Sequence, residues 1–270
     1  MMLWLGTALC GALALPAQAQ RYQVRELEDV RVVVPARLDK DRSYPAMVFL
    51  PYTGGTPTSA FSNYLARAYA HSRLADNMIL VLPDSDETDD GDYDDHEDWA
   101  ETVEDWDVLV AAALAQTKAR YPLDEKRVFV GGYSMGGDLA WALAQRRPER
   151  YAGALVMGSR CSWRAPGSMK TLAKLKRRFT FLMGSKESPS RIQGAERAVR
   201  MLEQKGIPHR YRRYPGGHRP PPGSGMIVVM EELLLPEWLP PAPAVAAKPL
   251  PPKSAPRPAK SGSQAGKNRS

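Results

Sequence analysis

The densest chemistry in the chain lies around residues 132–137, which read Gly132-Tyr133-Ser134-Met135-Gly136-Gly137. The apolar run Val128-Phe129-Val130 precedes them, and a helical pattern from Asp138 to Gln145 follows. A serine on so tight a strand-to-helix turn needs small neighbours, because Cβ atoms at 132 and 136 would collide there. The turn lifts the Ser134 hydroxyl above the strand end, beside a helix N-terminus that favours developing negative charge. A glycine-rich turn whose serine only caps the helix carries a similar pattern. The strand before and the helix after it favour a nucleophile.

A serine hydroxyl attacks poorly until a base takes its proton. The chain has four histidines, His71, His96, His209 and His218. His71 falls within a helix, His96 in an acidic loop, and His209 at the start of a late strand. His218 follows Tyr214-Pro215-Gly216-Gly217, after the last strand and before the last helix. Strand ends on one rim of a parallel sheet can bring His218 over Ser134, so His218 is the expected general base. A third group must orient the imidazole and stabilise its cation. Glu187 is the only acid between Arg150 and Glu196 and follows the strand-like Phe179 to Met183. It is the expected acid, and an exposed loop carboxylate is the plain alternative. For the oxyanion, the backbone N–H of Met135 should supply one donor. The loop Pro51-Tyr52-Thr53-Gly54-Gly55-Thr56 should supply the other. Thr53 is the expected residue, with Tyr52 close behind, and Pro51 has no N–H to give.

These residues need a scaffold. Strand-like segments fall at Val30–Val34, Ala46–Leu50, Met78–Leu82, Arg127–Val130, Ala154–Met157, Phe179–Met183 and Arg210–Tyr214. Helical patterns fall at Ala60–Leu74, Val103–Thr117, Met135–Gln145, Ile192–Gln204 and Met226–Leu235. Short apolar strands alternating with helices predict an α/β protein with a mainly parallel central sheet and helices on both faces. Trp99 and Trp106, seven apart, and Trp141 read as packing residues.

The ends differ from the body. Leu3 to Leu15 is apolar and Ala17-Gln18-Ala19 fits a cleavage site, so residues 1–19 read as a signal peptide and the chain as secreted or periplasmic. Residues 20–239 are then one domain. Residues 240–270 are rich in Pro, Ala and Lys, and read as a disordered tail. The tail holds six of the charges behind the formal net of +7, which leaves the body near neutral. Nucleic-acid binding by the body is therefore not indicated. The basic tail suits weak contact with an anionic envelope, or no partner at all. Without the signal segment only Cys161 remains, which excludes an intramolecular disulfide. It reads as a packed thiol.

Residues 84–98 are dense in carboxylates. Asp86, Thr88, Asp90, Gly91, Asp92, Asp94 and Glu97 approach the spacing of a calcium loop. Thr88 departs from that pattern, and a strand rather than a helix comes before it. Ca²⁺ binding and a solvated acidic loop are both open readings. At the site rim, such a loop would disfavour anionic substrates. The basic stretch from Arg160 to Arg178 reads equally as a small cap or as an exposed connection.

With these motifs in hand, the chain resembles the α/β-hydrolase superfamily. Within it, the likeness is to secreted esterases related to polyhydroxybutyrate depolymerases, feruloyl esterases and dienelactone hydrolases. It spans roughly Val30 to Pro236 and rests on four stretches: Leu50 to Thr56, Tyr121 to Gly137 with Asp124 and Arg127, Gly184 to Glu187, and Gly216 to His218. The resemblance implies the α/β-hydrolase fold and serine hydrolysis of a small-molecule or polymer ester without a metal or organic cofactor. Two positions depart from the family. Pro51-Tyr52 stands where many relatives have His-Gly, and Glu187 where they usually have Asp. A peptidase, an acyltransferase and a degenerate binding protein on the same fold stay open as alternatives.

Overall fold

The apolar runs become the inner strands of one eight-stranded sheet in the computed structural model, which describes residues 21–83 and 96–234 except the side chains of His96 and Glu97. The strands are β1 (Tyr22–Glu26), β2 (Val30–Pro35), β3 (Tyr44–Leu50), β4 (Ile79–Pro83), β5 (Leu123–Tyr133), β6 (Gly153–Met157), β7 (Arg178–Gly184) and β8 (His209–Tyr214). Their order is β1-β2-β4-β3-β5-β6-β7-β8. β1 and β2 pair antiparallel, β2 meets β4 antiparallel, and the remaining pairs are parallel.

The expected signal peptide, the calcium candidates Asp86, Asp90, Asp92 and Asp94, the side chain of Glu97 and the expected tail lie outside the described residues. The chain divides into two units, Met1–Trp238 and Leu239–Ser270. Every described residue belongs to the first.

Period-two alternation sorts each inner strand between two cores. From β3, Ala46, Val48 and Leu50 join Trp106, Leu139 and Ala198 on one face. Met47 and Phe49 join Phe61, Tyr69 and Met230 on the other. Burial on both faces is why these strands read as unbroken apolar runs. The first face is covered by α4 (His96–Arg120), α5 (Met135–Arg146), α6 (Ser168–Lys174) and α7 (Pro189–Gln204). The second is covered by α8 (Gly223–Leu234) and by the segment between β3 and β4. In α5, every residue from Met135 to Gln145 is buried. Truncating Leu139 or Trp141 there would cost about 2–5 kcal/mol through lost burial and a cavity. Trp99, Trp106 and Trp141 are all packed, as their spacing suggested.

The predicted helix Ala60–Leu74 is broken in the structure. A capping box, Thr56 with Ser59, starts it early as α1 (Pro57–Ala60), with proline in its first turn. A π-helical turn follows at Phe61–Leu65, then α2 (Ala66–Tyr69) and, after a gap, α3 (Leu74–Asn77). Ser72 Oγ donates to the Tyr69 carbonyl at 2.7 Å, which offers the chain a turn in place of another helical bond. β1, whose five residues are half-buried or exposed, carries only Tyr22 and Val24 as apolar residues, too short an alternation to announce a strand. The segment from Arg160 to Arg178 packs on the flank of α5. Leu172 of α6 enters the core, and Trp141 Nε1 donates to the Trp163 carbonyl at 3.1 Å.

Candidate active site

β5 and α5 meet at Ser134, whose φ of 57° and ψ of −118° lie outside the ordinary regions. Such a backbone costs on the order of 1–3 kcal/mol and persists only when its surroundings over-determine it. Here they do. Ser134 N–H donates to the Met157 carbonyl at 2.9 Å, and Ser134 C=O accepts from the N–H groups of Gly137 and Asp138 at 3.0 Å each. A Cβ on Gly136 would come within 2.5 Å of the Pro51 carbonyl oxygen, and one on Gly137 within 2.4 Å of that of Met157. The glycines therefore let β3, β5 and β6 close around the turn.

Ser134 Oγ lies 2.9 Å from His218 Nε2, and His218 Nδ1 lies 2.8 Å from Glu187 Oε1. With Nδ1–H donating to the carboxylate, Nε2 is left to accept the serine proton. Glu187 is delivered by the turn after β7, and His218 by the loop after β8. The two loops interlock through their backbones. Ser185 N–H donates to the Tyr214 carbonyl at 2.8 Å, and Lys186 N–H to that of Gly216 at 2.7 Å. A Cβ on Gly184 would meet the Gly217 oxygen at 2.6 Å. The Glu187 side chain has no exposure, whereas His218 is 39% exposed. The acid is thus sealed from water and the base can reach substrate. The structure brings Ser134, Glu187 and His218 together. His209 stays apart at the start of β8, its Nδ1 2.8 Å from the Ile207 carbonyl oxygen, and His71 is exposed on a turn.

Met135 opens α5, so its N–H has no partner within the helix. The loop after β3 turns tightly. Gly55 N–H donates to the Tyr52 carbonyl at 2.9 Å, and Gly54 has a φ of 72°. Positive φ at the third position suits a type II turn. This turn engages the Tyr52 carbonyl and the Gly55 N–H, and it exposes Thr53. Tyr52 folds over Gly55 and packs edge-on to Tyr64, ring centres 5.3 Å apart. Among the described residues, no group of three or more His, Cys, Asp or Glu is arranged to hold a metal.

Three supporting residues gave no sequence signal. The Tyr133 ring lies 5.1 Å from the His218 ring and tilted 30° to it, bracing the imidazole. Gly158, at φ 58°, leaves room for that ring, because a Cβ there would come within 2.7 Å of it. Asp138 is the second. Its Oδ1 accepts from Ser159 Oγ at 2.7 Å and from the N–H groups of Arg160 and Cys161 at 3.0 Å each. Burial pushes its carboxyl up from the ordinary 3.8 to about 6, against those hydrogen bonds and the nearby Arg191. Arg191 is the third. It donates to the Gly158 carbonyl at 2.7 Å and faces Asp138 Oδ2 at 3.9 Å. The pair ties the nucleophile helix to α7, the helix that follows the acid. Cys161 is buried beside Ser159, and burial pushes its thiol far up, as expected of a packed cysteine. A separate cavity of about 460 Å³ opens at the far end of β5, between Leu114, Lys118, Leu123 and Arg150. No serine, threonine, cysteine or histidine lines it.

Known proteins share this architecture. The family described as serine aminopeptidase, S33, matches residues 87–210. No curated protein matches the chain. Among solved structures, a ferulic acid esterase is 18% identical, with a TM-score of 0.53 over 76% of this chain and 89% of its own. The S-formylglutathione hydrolase of Staphylococcus aureus is 13% identical, with a TM-score of 0.54 over 79% of this chain and 94% of its own. A feruloyl esterase module from Clostridium thermocellum, complexed with sinapinate, is 12% identical, with a TM-score of 0.55 over 81% and 88%.

Proposed function

From a chain that has the α/β-hydrolase fold, we propose a serine esterase that cleaves a carboxylic ester through Ser134, His218 and Glu187. The observation that carries this reading is the unbroken hydrogen-bond line from Ser134 through His218 to the buried Glu187. Ser134 Oγ adds to the acyl carbon as its proton passes to His218 Nε2. The carbonyl electron pair becomes an oxyanion facing the N–H groups of Met135 and Thr53, with Tyr52 as the neighbouring donor. Collapse expels the alcohol oxygen, which takes the proton from His218. Water then adds to the acyl-enzyme by the same route, its proton going to His218, and the acid product leaves as Ser134 recovers its hydrogen. Glu187 stays ionised throughout and stabilises the imidazolium.

No step in this sequence uses a metal or an organic cofactor. The apolar N-terminal segment supports export, to the periplasm or beyond. The aromatic rings of Tyr52, Tyr64 and Tyr133 beside the nucleophile turn suit an aromatic ester. Ferulic acid and sinapinate, named with the structural neighbours, are of that kind. A peptidase reading draws on the aminopeptidase family match. Hydrolysis of aminoacyl anilides faster than of the matched aryl esters would favour it.

The deciding measurement is labelling by a fluorophosphonate, which reacts only with an activated serine. Wild type should label, and Ser134→Ala should lose labelling together with a 10⁴-fold or greater share of ester hydrolysis, on the order seen when such a nucleophile is removed. A folded wild type that neither labels nor hydrolyses any ester would overturn the reading.

A further inference from the structure

The near-zero charge of the body hides a strong segregation. Residues 150–219 contain 17 arginines and lysines against three glutamates. They form β6, α6, β7, α7 and β8, and the sheet order sets those three strands side by side at one edge. The rest of the body, residues 1–149 and 220–239, carries the balance, with 27 acids against 14 bases. One lateral half of the fold is therefore basic.

The same bias sharpens beside the nucleophile. Lys186 directly precedes Glu187, Arg219 directly follows His218, and Arg213 lies near the end of β8. Their backbones and side chains converge. Arg213 Nη2 donates to the Ser185 carbonyl at 3.0 Å, and Lys186 N–H to that of Gly216 at 2.7 Å. The Arg219 guanidinium lies against Gly216, where a Cβ would come within 2.7 Å of its Nε. All three residues are exposed, and among the described residues none forms an ion pair with a carboxylate. Glu187, the one acid of these two loops, is buried and bonded to His218. Two other cation clusters on this protein are held by acids: Arg146, Arg147 and Arg150 surround Asp107, and Arg210 and Arg212 share Glu232.

We propose that the ester cleaved at Ser134 carries a carboxylate, held at the rim formed by Lys186, Arg213 and Arg219. The proposal rests on the esterase reading and names its substrate class. The basic half steers such a substrate in, and the rim retains it. The same three cations disfavour the free ammonium group of an aminopeptidase substrate.

The experiment compares matched ester pairs differing only in charge: 4-acetoxybenzoate with 4-acetoxybenzamide, and monomethyl terephthalate with methyl 4-carbamoylbenzoate. The first pair places the charge on the alcohol side, the second on the acyl side. In at least one pair, kcat/KM at low salt should favour the anion on the order of tenfold, and that ratio should shrink as salt rises. Lys186→Gln with Arg219→Gln should bring the ratio near one, and Lys186→Glu with Arg219→Glu should invert it. Because the readout is a ratio within one protein, a general loss of activity does not imitate the result. Cleavage of the neutral esters with no preference for either anion, or a preference the variants leave intact, overturns the proposal and spares the esterase reading. Turnover of neither member of either pair, with no fluorophosphonate labelling, overturns both.

Discussion

Glu187 is one of the two places where this chain departs from its resemblance, and the geometry explains how a glutamate serves there. The turn after β7 holds it against the loop of His218, and the longer side chain spans the gap to 2.8 Å from Nδ1. Shortening it by one methylene in Glu187→Asp should pull the carboxylate back and lower kcat/KM about 10²-fold, the usual effect of a displacement near 1 Å. Glu187→Gln keeps the length but removes the charge that stabilises the imidazolium, and should cost about 10³–10⁴-fold. A Gln variant with wild-type kcat/KM on a simple aryl ester would remove Glu187 from the site. Asp138 acts on stability instead. Its carboxyl sits near 6 in the folded chain and 3.8 in the ordinary state, because burial disfavours the anion. Between those values the folded chain binds more protons, so this group's contribution is full below about pH 4 and is lost as pH rises through about 6. Urea unfolding should show wild type losing roughly 1–3 kcal/mol relative to Asp138→Asn between pH 4 and 7. A difference that does not change with pH would mean Asp138 titrates normally.

At the scale of elements, the sheet edge at β8 is the feature that asks for an account. An edge strand exposes unpaired backbone groups and invites pairing with another chain. β8 reads His209-Arg210-Tyr211-Arg212-Arg213-Tyr214, and three arginines in six residues repel a second copy. Replacing Arg210, Arg212 and Arg213 with valine should therefore raise the apparent mass in light scattering as concentration increases. A variant that stays as wild type would show that the edge is protected by other means. The elements also show which sequence signals carry. The inner strands and α5 were legible because both faces of the sheet are covered and burial there is nearly complete. The stretch from Pro57 to Asn77 was not legible as broken. Its apolar spacing is helical throughout, and the breaks come from local hydrogen bonds such as Ser72 to Tyr69, which composition does not announce.

Over the whole molecule, one number misleads. A net charge near neutral for the body says nothing about its distribution, and the sheet order is what gathers residues 150–219 onto one side. The strand-turn-helix context of Ser134, the chain order of serine, acid and histidine, and the two-faced sheet are all legible in the order of the residues. Each follows from short-range rules: the side-chain period of a strand, the glycine needs of a turn, the position of loops after strands. Tertiary structure alone decided what depends on distance across the chain. It set His218, 84 residues from Ser134, at 2.9 Å from its oxygen, and it laid Tyr133 against the imidazole. It joined Asp138 to Arg191 between two helices, and drew Lys186, Arg213 and Arg219 into one rim. Those groups lie far apart or unremarked in sequence, and only the crossover order of a parallel sheet brings them to the same end.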